Sequence, residues 1–198
     1  LFYSTQSIPR IQILENNWEI IAEEANKLPK NKFISNKGRK KESWVGDKDF
    51  DNLMNMHLSN FGWINGWGED KNGHKKWLNW GLVYNDKKLG LNAKLCPKTT
   101  ELLSKIPGIK MAGFSLMNPN CFINKHTDST GLKYNSIAYH LGLDIPKDGD
   151  CRLHVLDQNI KEKNGKAFLF DATNTHFAYN KSDKNRIILY IDLELDKN

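Results

Sequence analysis

His126-Thr127-Asp128 sets a histidine and a carboxylate two residues apart. On a strand, residues i and i+2 share a face, so both side chains can reach one metal ion. His176 lies about fifty residues downstream, after the apolar run Phe168-Leu169-Phe170 and Asp171. Two imidazoles and one carboxylate on one face form the facial triad of non-heme Fe(II) oxygenases, which leaves positions open for co-substrate and dioxygen. The HxD spacing alone is a weak signal. Arg186 sharpens it: it stands ten residues after His176, at the head of the apolar run Ile187-Ile188-Leu189-Tyr190-Ile191. A guanidinium entering a buried strand needs a carboxylate partner. Plainer readings exist. His126 suits a turn after a strand, and Asp128 suits a cap on the Ser129-Thr130-Gly131 turn. Arg152 and His154 share a strand face, where a polar strand role is commoner than a third histidine ligand.

Two stretches of different character must position these residues. Apolar positions at Ile11, Ile13, Leu14, Trp18, Ile21, Ala22 and Ala25 follow a 3.6-residue period, which predicts an amphipathic helix over Ile11 to Leu28, ended by Pro29. Lys30 to Trp44 reads as a loop, Asp49 to Phe61 as a second helix, and Asn60 to Asn85 as irregular and rich in Gly, Asn and Trp. Pro97 to Ile106 reads as a short helix closed by Pro107. Beyond it the period changes. Short β-rich runs are predicted at Gly113 to Met117, Cys121 to Asn124, Ser136 to Leu143, Cys151 to Leu156, Ala167 to Phe170, His176 to Tyr179 and Arg186 to Leu193. Turn residues separate them, a spacing that predicts a sandwich or barrel rather than a parallel α/β sheet.

The sequence of 198 residues is long enough for one domain with a proper core. No apolar run approaches the length of a membrane helix. Leu1 rather than Met opens the sequence, as in a trimmed chain, so a leader or anchor is neither implied nor excluded. Lys+Arg 29 against Asp+Glu 23 gives a formal charge of +6. That balance suits acidic partners, or merely a well-solvated surface. Lys27 to Lys41 holds seven Lys or Arg and no acid, and all 6 tryptophans precede Lys87. The 3 cysteines, Cys96, Cys121 and Cys151, form no CxxC, which argues against a disulfide scaffold and suits a reducing, intracellular setting.

From about Cys96 to Leu193 the chain resembles the aspartyl/asparaginyl β-hydroxylase family. The resemblance rests on Cys96-Pro97-Lys98-Thr99-Thr100-Glu101-Leu102-Leu103, Phe114-Ser115-Leu116-Met117-Asn118-Pro119 and His126-Thr127-Asp128. It continues through His140-Leu141-Gly142-Leu143 with Ile145-Pro146, and Cys151-Arg152-Leu153. It ends with Phe170-Asp171-Ala172-Thr173-Asn174-Thr175-His176 and Asn185-Arg186-Ile187-Ile188-Leu189. It implies a mainly β fold with flanking helices, the double-stranded β-helix (a jelly roll, cupin-like). As domain organisation it implies a single oxygenase domain over 1–198, with a helical or irregular part over 1–95 packed on a catalytic core over 96–198. It also implies Fe(II), 2-oxoglutarate and dioxygen, and hydroxylation of an unactivated carbon with release of succinate and carbon dioxide. Carried over by position, His126 and His176 hold iron, Asp128 completes the triad, and Ser115 and Arg186 hold the distal carboxylate of 2-oxoglutarate. His140 lies near the metal-chelating end. The alternation Ile137, Tyr139, Leu141 facing a core turns Ala138, His140 and Gly142 toward that site.

Two departures bear on the substrate. The animal peptide hydroxylases of the family have Gly where this chain has Asp128, whereas a bacterial branch acting on lipid acyl chains keeps the acid. The animal enzymes also place Arg two residues before the histidine of the HLGL segment, where this chain has Ala138, and their loop between the positions of His126 and His140 is shorter. The expected substrate is an Asp- or Asn-type side chain of a peptide or a related amino acid, with a lipid acyl chain as the alternative. A different class of function is a β-sandwich module that binds nucleic acid through the basic, Trp-rich first half, since cations interleaved with aromatics suit single strands. A cupin-like metalloprotein without 2-oxoglutarate is a third. The tryptophans Trp63, Trp67, Trp77 and Trp80 could wall the mouth of the site or simply pack.

Overall fold

A computed structural model describes residues 1–34, 48–56, 60–65, 77–128 and 130–195. The chain opens with β1 (Phe2–Tyr3), two short 3-10 turns, α1 (Gln12–Asn16), α2 (Trp18–Lys27) and α3 (Lys48–Met56). It continues with β2 (Ile64–Asn65), β3 (Trp77–Tyr84), β4 (Lys87–Lys88), α4 (Gly90–Lys94) and α5 (Pro97–Leu103). Then follow β5 (Ile109–Met117), β6 (Cys121–His126), α6 (Thr130–Tyr134), β7 (Ser136–Asp144), β8 (Cys151–Val155) and β9 (Gln158–Lys161). β10 (Ala167–Phe170), β11 (His176–Asn180) and β12 (Arg186–Glu194) complete it.

The predicted first helix is two helices. Asn17 leaves the helical region (φ −120, ψ 20), and its Nδ2 donates to the Ile13 carbonyl at 2.8 Å. A side-chain amide that competes for helix carbonyls breaks the ladder there. Of the loop expected over Lys30–Trp44, residues 35–44 lie outside the described residues, as do Lys37, Arg39, Lys40 and Lys41 of the basic run and Trp44 and Trp67.

The strands form two antiparallel sheets, ordered β1-β10-β7-β12-β5-β3-β2 (with β4 on β3) and β6-β11-β8-β9. From β5 to β12 the chain passes back and forth between them, which is the winding of a jelly roll. Helices α1, α2 and α5 cover the outer face of the larger sheet. Ile11, Leu14, Ile21 and Leu103 pack there on Trp80, Phe114, Tyr139, Leu141 and Leu189. The inner face meets the smaller sheet through Met117, Ala138, Phe168 and Phe170 against Leu153, Val155 and Ala178.

The stretch expected to be irregular holds an eight-residue strand of the larger sheet. β3 runs beside β5 with Asn79 opposite Ser115 and Trp80 opposite Phe114. Its helix-side face reads Leu78, Trp80, Leu82, all buried, while its inner face carries Asn79 and Gly81. Those two residues hide the alternation from a reading of hydrophobicity alone. Gly81 and Gly113 lie opposite each other because the strands run very close: a Cβ on Gly113 would stand 2.4 Å from the Trp80 carbonyl oxygen.

Candidate active site

His126 ends β6 and His176 begins β11, and the two are direct register partners. Their rings stand 4.2 Å apart between centroids. The chain then folds back so that Asp128 N–H donates to the Ala172 carbonyl at 2.8 Å. This places the Asp128 carboxylate 3.9 Å from His126 Nε2 and 3.6 Å from His176 Nε2. One ligand atom from each residue lies within 4.8 Å of the others, close enough to share an ion.

Local sequence sets the imidazole orientation. Asp171 Oδ1 accepts from Thr173 N at 2.9 Å and from Thr173 Oγ1 at 2.6 Å, an Asx turn that shapes the approach to β11. The turn presents the Asn174 carbonyl to His176 Nδ1 at 2.9 Å, and the Asn124 carbonyl does the same for His126 Nδ1 at 2.7 Å. A carbonyl only accepts, so each Nδ1 carries the proton and each Nε2 presents its lone pair. Backbone carbonyls behind ligating histidines are the usual outer support of a metal site. Burial lowers the His176 pKa, with His126 opposing its charge as well, while Asp128 pulls the other way. The ring is thereby kept neutral and available as a ligand.

The other inner-face residues continue away from the triad. Arg186, Ile188, Tyr190 and Asp192 alternate along β12, and His140 pairs in register with Tyr190. The His140 ring sits 5.0 Å from that of Phe170 and 5.5 Å from that of Tyr190. Burial pushes its pKa down to about 4, against the pull of Glu162. Ser115 pairs with Ile188 and Asn79, and its Oγ accepts from Trp77 Nε1 at 2.9 Å.

Arg186 is 1% exposed and has the carboxylate partner its setting demands, which is Glu162. Arg186 Nε donates to Glu162 Oε2 at 2.6 Å, and Nη2 donates to Oε1. Glu162 Oε1 also lies 3.6 Å from His140 Nδ1. Burial alone would raise the Glu162 pKa; Arg186 and His140 outweigh it and hold the carboxyl at about 2. Glu162 is locked in place. Its N–H donates to the Cys151 carbonyl, Gly165 N–H to the Gly142 carbonyl, and the Lys163 carbonyl fills the space a side chain at Gly142 would need. The sequence reading missed Glu162. Arg186 demanded a buried acid, but Glu162, set between Lys161 and Lys163, carries no local mark that separates it from the other acids.

Asp192, 3% exposed, faces the same interior opposite Ala138 and accepts from Tyr190 Oη at 2.7 Å. Burial, with Asp128 nearby, raises its carboxyl to about 7. His154 and Arg152 lie on the far side of the smaller sheet. The His154 ring stacks on Phe177 at 4.3 Å, facing away from the triad. Trp63 and Trp80 pack in the helix-side core, and Trp77 alone of the described tryptophans in the 63–80 stretch faces inward.

A family model described as aspartyl/asparaginyl beta-hydroxylase matches residues 15–195. The chain belongs to this family. Over 119 residues it is 34% identical to the ornithine lipid ester-linked acyl 2-hydroxylase of Rhizobium tropici, covering 59% of this chain and 41% of that protein. Over 132 residues it is 29% identical to the human aspartyl/asparaginyl beta-hydroxylase, covering 63% of this chain and 17% of that one. An uncharacterized protein of Acanthamoeba polyphaga mimivirus, L888, is 25% identical over 202 residues, 98% of this chain and 70% of that protein. The chain thus spans under half the length of the two hydroxylases. Among solved structures, a 2OG-Fe(II) oxygenase family oxidoreductase from Burkholderia pseudomallei aligns at TM-score 0.47 and 10% identity, over 91% of this chain and 89% of that one. A predicted oxalate decarboxylase from Thermotoga maritima aligns at 0.44 and 11%, over 70% and 96%. In this hydroxylase family member, no described helix is long and apolar enough to cross a membrane.

Proposed function

We propose that this protein is an Fe(II)- and 2-oxoglutarate-dependent dioxygenase that hydroxylates an unactivated carbon. One observation carries the reading: His126 and His176 aim bare Nε2 atoms at the Asp128 carboxylate, with each Nδ1 tied to a backbone carbonyl. Two imidazoles and a carboxylate suit a hard divalent ion that must also take a co-substrate. His126, Asp128 and His176 would hold the iron. Ser115 and Arg186 would hold the distal carboxylate of 2-oxoglutarate, with His140 near its keto-acid end. Bound there, iron and 2-oxoglutarate supply the oxidising chemistry with dioxygen. The chain's part is to orient and to exclude water. Burial keeps His140 uncharged near neutral pH, as a neutral donor or acceptor for the ligand. Arg186 gives one edge of its guanidinium to Glu162 and makes no hydrogen bond from Nη1 among the described residues, so donors remain for a second carboxylate.

Two substrate classes are in view. An Asp- or Asn-type side chain of a peptide or related amino acid is the one the family name favours. A lipid acyl chain gains weight from one feature: the wall at Ala138 lacks a cation and faces the acid Asp192. A substrate carboxylate there would stand beside a second acid with no cation to offset it, whereas an amide or an acyl chain needs no such partner. The fold would then be one oxygenase domain over 1–198, with the catalytic core over 96–198.

The deciding experiment is an anaerobic titration of the Fe(II)-loaded protein with 2-oxoglutarate, watched for the visible charge-transfer band of a chelated keto acid. The band should form in wild type and weaken in His126→Ala and Arg186→Ala. Absence of any band in a protein shown to bind Fe(II) would leave a metalloprotein without this co-substrate. Absence of metal binding altogether would move the weight to a binding module.

A further inference from the structure

Asn79 is the most isolated polar side chain on the inner face. It is 0% exposed, and neither its Oδ1 nor its Nδ2 has a hydrogen-bond partner. Buried amides are nearly always satisfied, and leaving both ends unpaired is costly. An apolar residue would serve simple packing better, because the neighbouring inward positions Trp77 and Met117 join an apolar cluster. The amide therefore has a use that the ligand-free fold does not show. Its location narrows that use. Asn79 lies directly across from Ser115, and Ser115 pairs on its other side with Ile188, two residues along β12 from Arg186. Ser115 Oγ already accepts from Trp77 Nε1, so its own proton remains to be given. The inner face around Ser115 thus holds an amide donor and a hydroxyl donor, with the engaged guanidinium of Arg186 further along.

We propose that Asn79 is a co-substrate-binding residue whose Nδ2 donates to the distal carboxylate of 2-oxoglutarate beside Ser115. The assignment rests on the dioxygenase reading above. It gives the pocket a neutral donor, which matters because Glu162 already cancels the charge of Arg186. A second carboxylate near that couple gains little net Coulomb attraction and depends on directed hydrogen bonds.

The test uses the full chain loaded with Mn(II), which binds without turnover. Calorimetry measures 2-oxoglutarate and 2-oxobutanoate, a keto acid that lacks the distal carboxylate. Asn79→Leu keeps the branching and removes both polar ends. It should weaken 2-oxoglutarate about 10- to 100-fold, the range for a hydrogen bond to a charged group. Binding of Mn(II) and of 2-oxobutanoate should stay at the wild-type value. The ligand-free variant should melt a few degrees higher, since a buried unsatisfied amide is gone. A purely structural amide would lower the melting temperature and leave the preference for 2-oxoglutarate over 2-oxobutanoate intact. Asn79→Ser, smaller and polar, covers the case in which leucine does not fit. An unchanged preference in whichever variant folds overturns the proposal. Wild type that binds Mn(II) but neither keto acid would instead sink the dioxygenase reading itself.

Discussion

Glu162 and Arg186 form an ion pair sealed inside the jelly roll, with Nε and Nη2 of the guanidinium each on one carboxylate oxygen. Removing one partner strands the other. Glu162→Ala should cost about 3–5 kcal/mol, the range for an uncompensated buried charge. Urea unfolding at neutral pH measures it. A loss below about 1 kcal/mol would mean that the pair is worth no more than a surface bridge.

The same pair predicts a sensitivity to acid. The Glu162 pKa is depressed in the folded protein, from 4.5 to about 2, so its contribution is present above the unfolded value. It is lost as pH falls from about 4.5 toward 2. Asp192 has the opposite sign. Its carboxyl rises from 3.8 to about 7, so the folded state holds the proton more tightly, and stability declines as pH rises across that window. Asp192→Asn should flatten that decline and be more stable than wild type at pH 8. Thermal unfolding from pH 3 to 8 checks both slopes, and a variant that parallels wild type between pH 4 and 7 would refute the role given to Asp192.

Metal affinity should follow the triad. His126→Ala and His176→Ala should each lose more than the roughly 10- to 100-fold that outer supports of a metal site are worth. Asp128→Gly, which copies the residue of the animal peptide hydroxylases, should keep weaker binding through the two histidines. Titration with Co(II) or Mn(II) followed by calorimetry separates these cases. Equal affinity in wild type and His176→Ala would place any ion elsewhere.

Gly142 should be intolerant of any side chain. A Cβ there would stand 2.1 Å from the Lys163 carbonyl oxygen, one residue from Glu162. Because the obstacle is backbone, Gly142→Ala must push the β9–β10 connection outward, at a cost of about 1–3 kcal/mol. If the displacement reaches Glu162, Arg186 loses its alignment and 2-oxoglutarate binding falls as well. An alanine variant with wild-type melting temperature and affinity would show that the connection yields freely.

The grouping of His126, Asp128 and His176 was legible in the sequence from the HxD spacing and the distal histidine. Strand alternation is not what joins them: β6 ends at His126, and Asp128 reaches the two rings from the turn beyond it. The arginine was legible because a cation heads an apolar strand. Its partner was not. Glu162 sits between Lys161 and Lys163, and Lys-Glu-Lys reads as a solvated face. Only the fold, which turns that one side chain inward, separates it from its neighbours. β3 was hidden for a related reason: Asn79 and Gly81 occupy the inward positions where a strand reading expects apolar residues. Places where the local pattern conflicts with the fold are where functional residues collect.

The alternation of β11 couples the two surfaces of the smaller sheet. His176, Ala178 and Asn180 point inward, while Phe177 and Tyr179 pair with His154 and Arg152 on the outside. A shift of one residue within this strand would put an aromatic ring where an imidazole must stand. Insertions and deletions between Asp171 and Lys184 are therefore constrained by parity as well as by space. A single-residue length change in the 171–175 turn has to be absorbed before His176. Over evolutionary time this segment should drift in composition on its outer positions while keeping its length fixed.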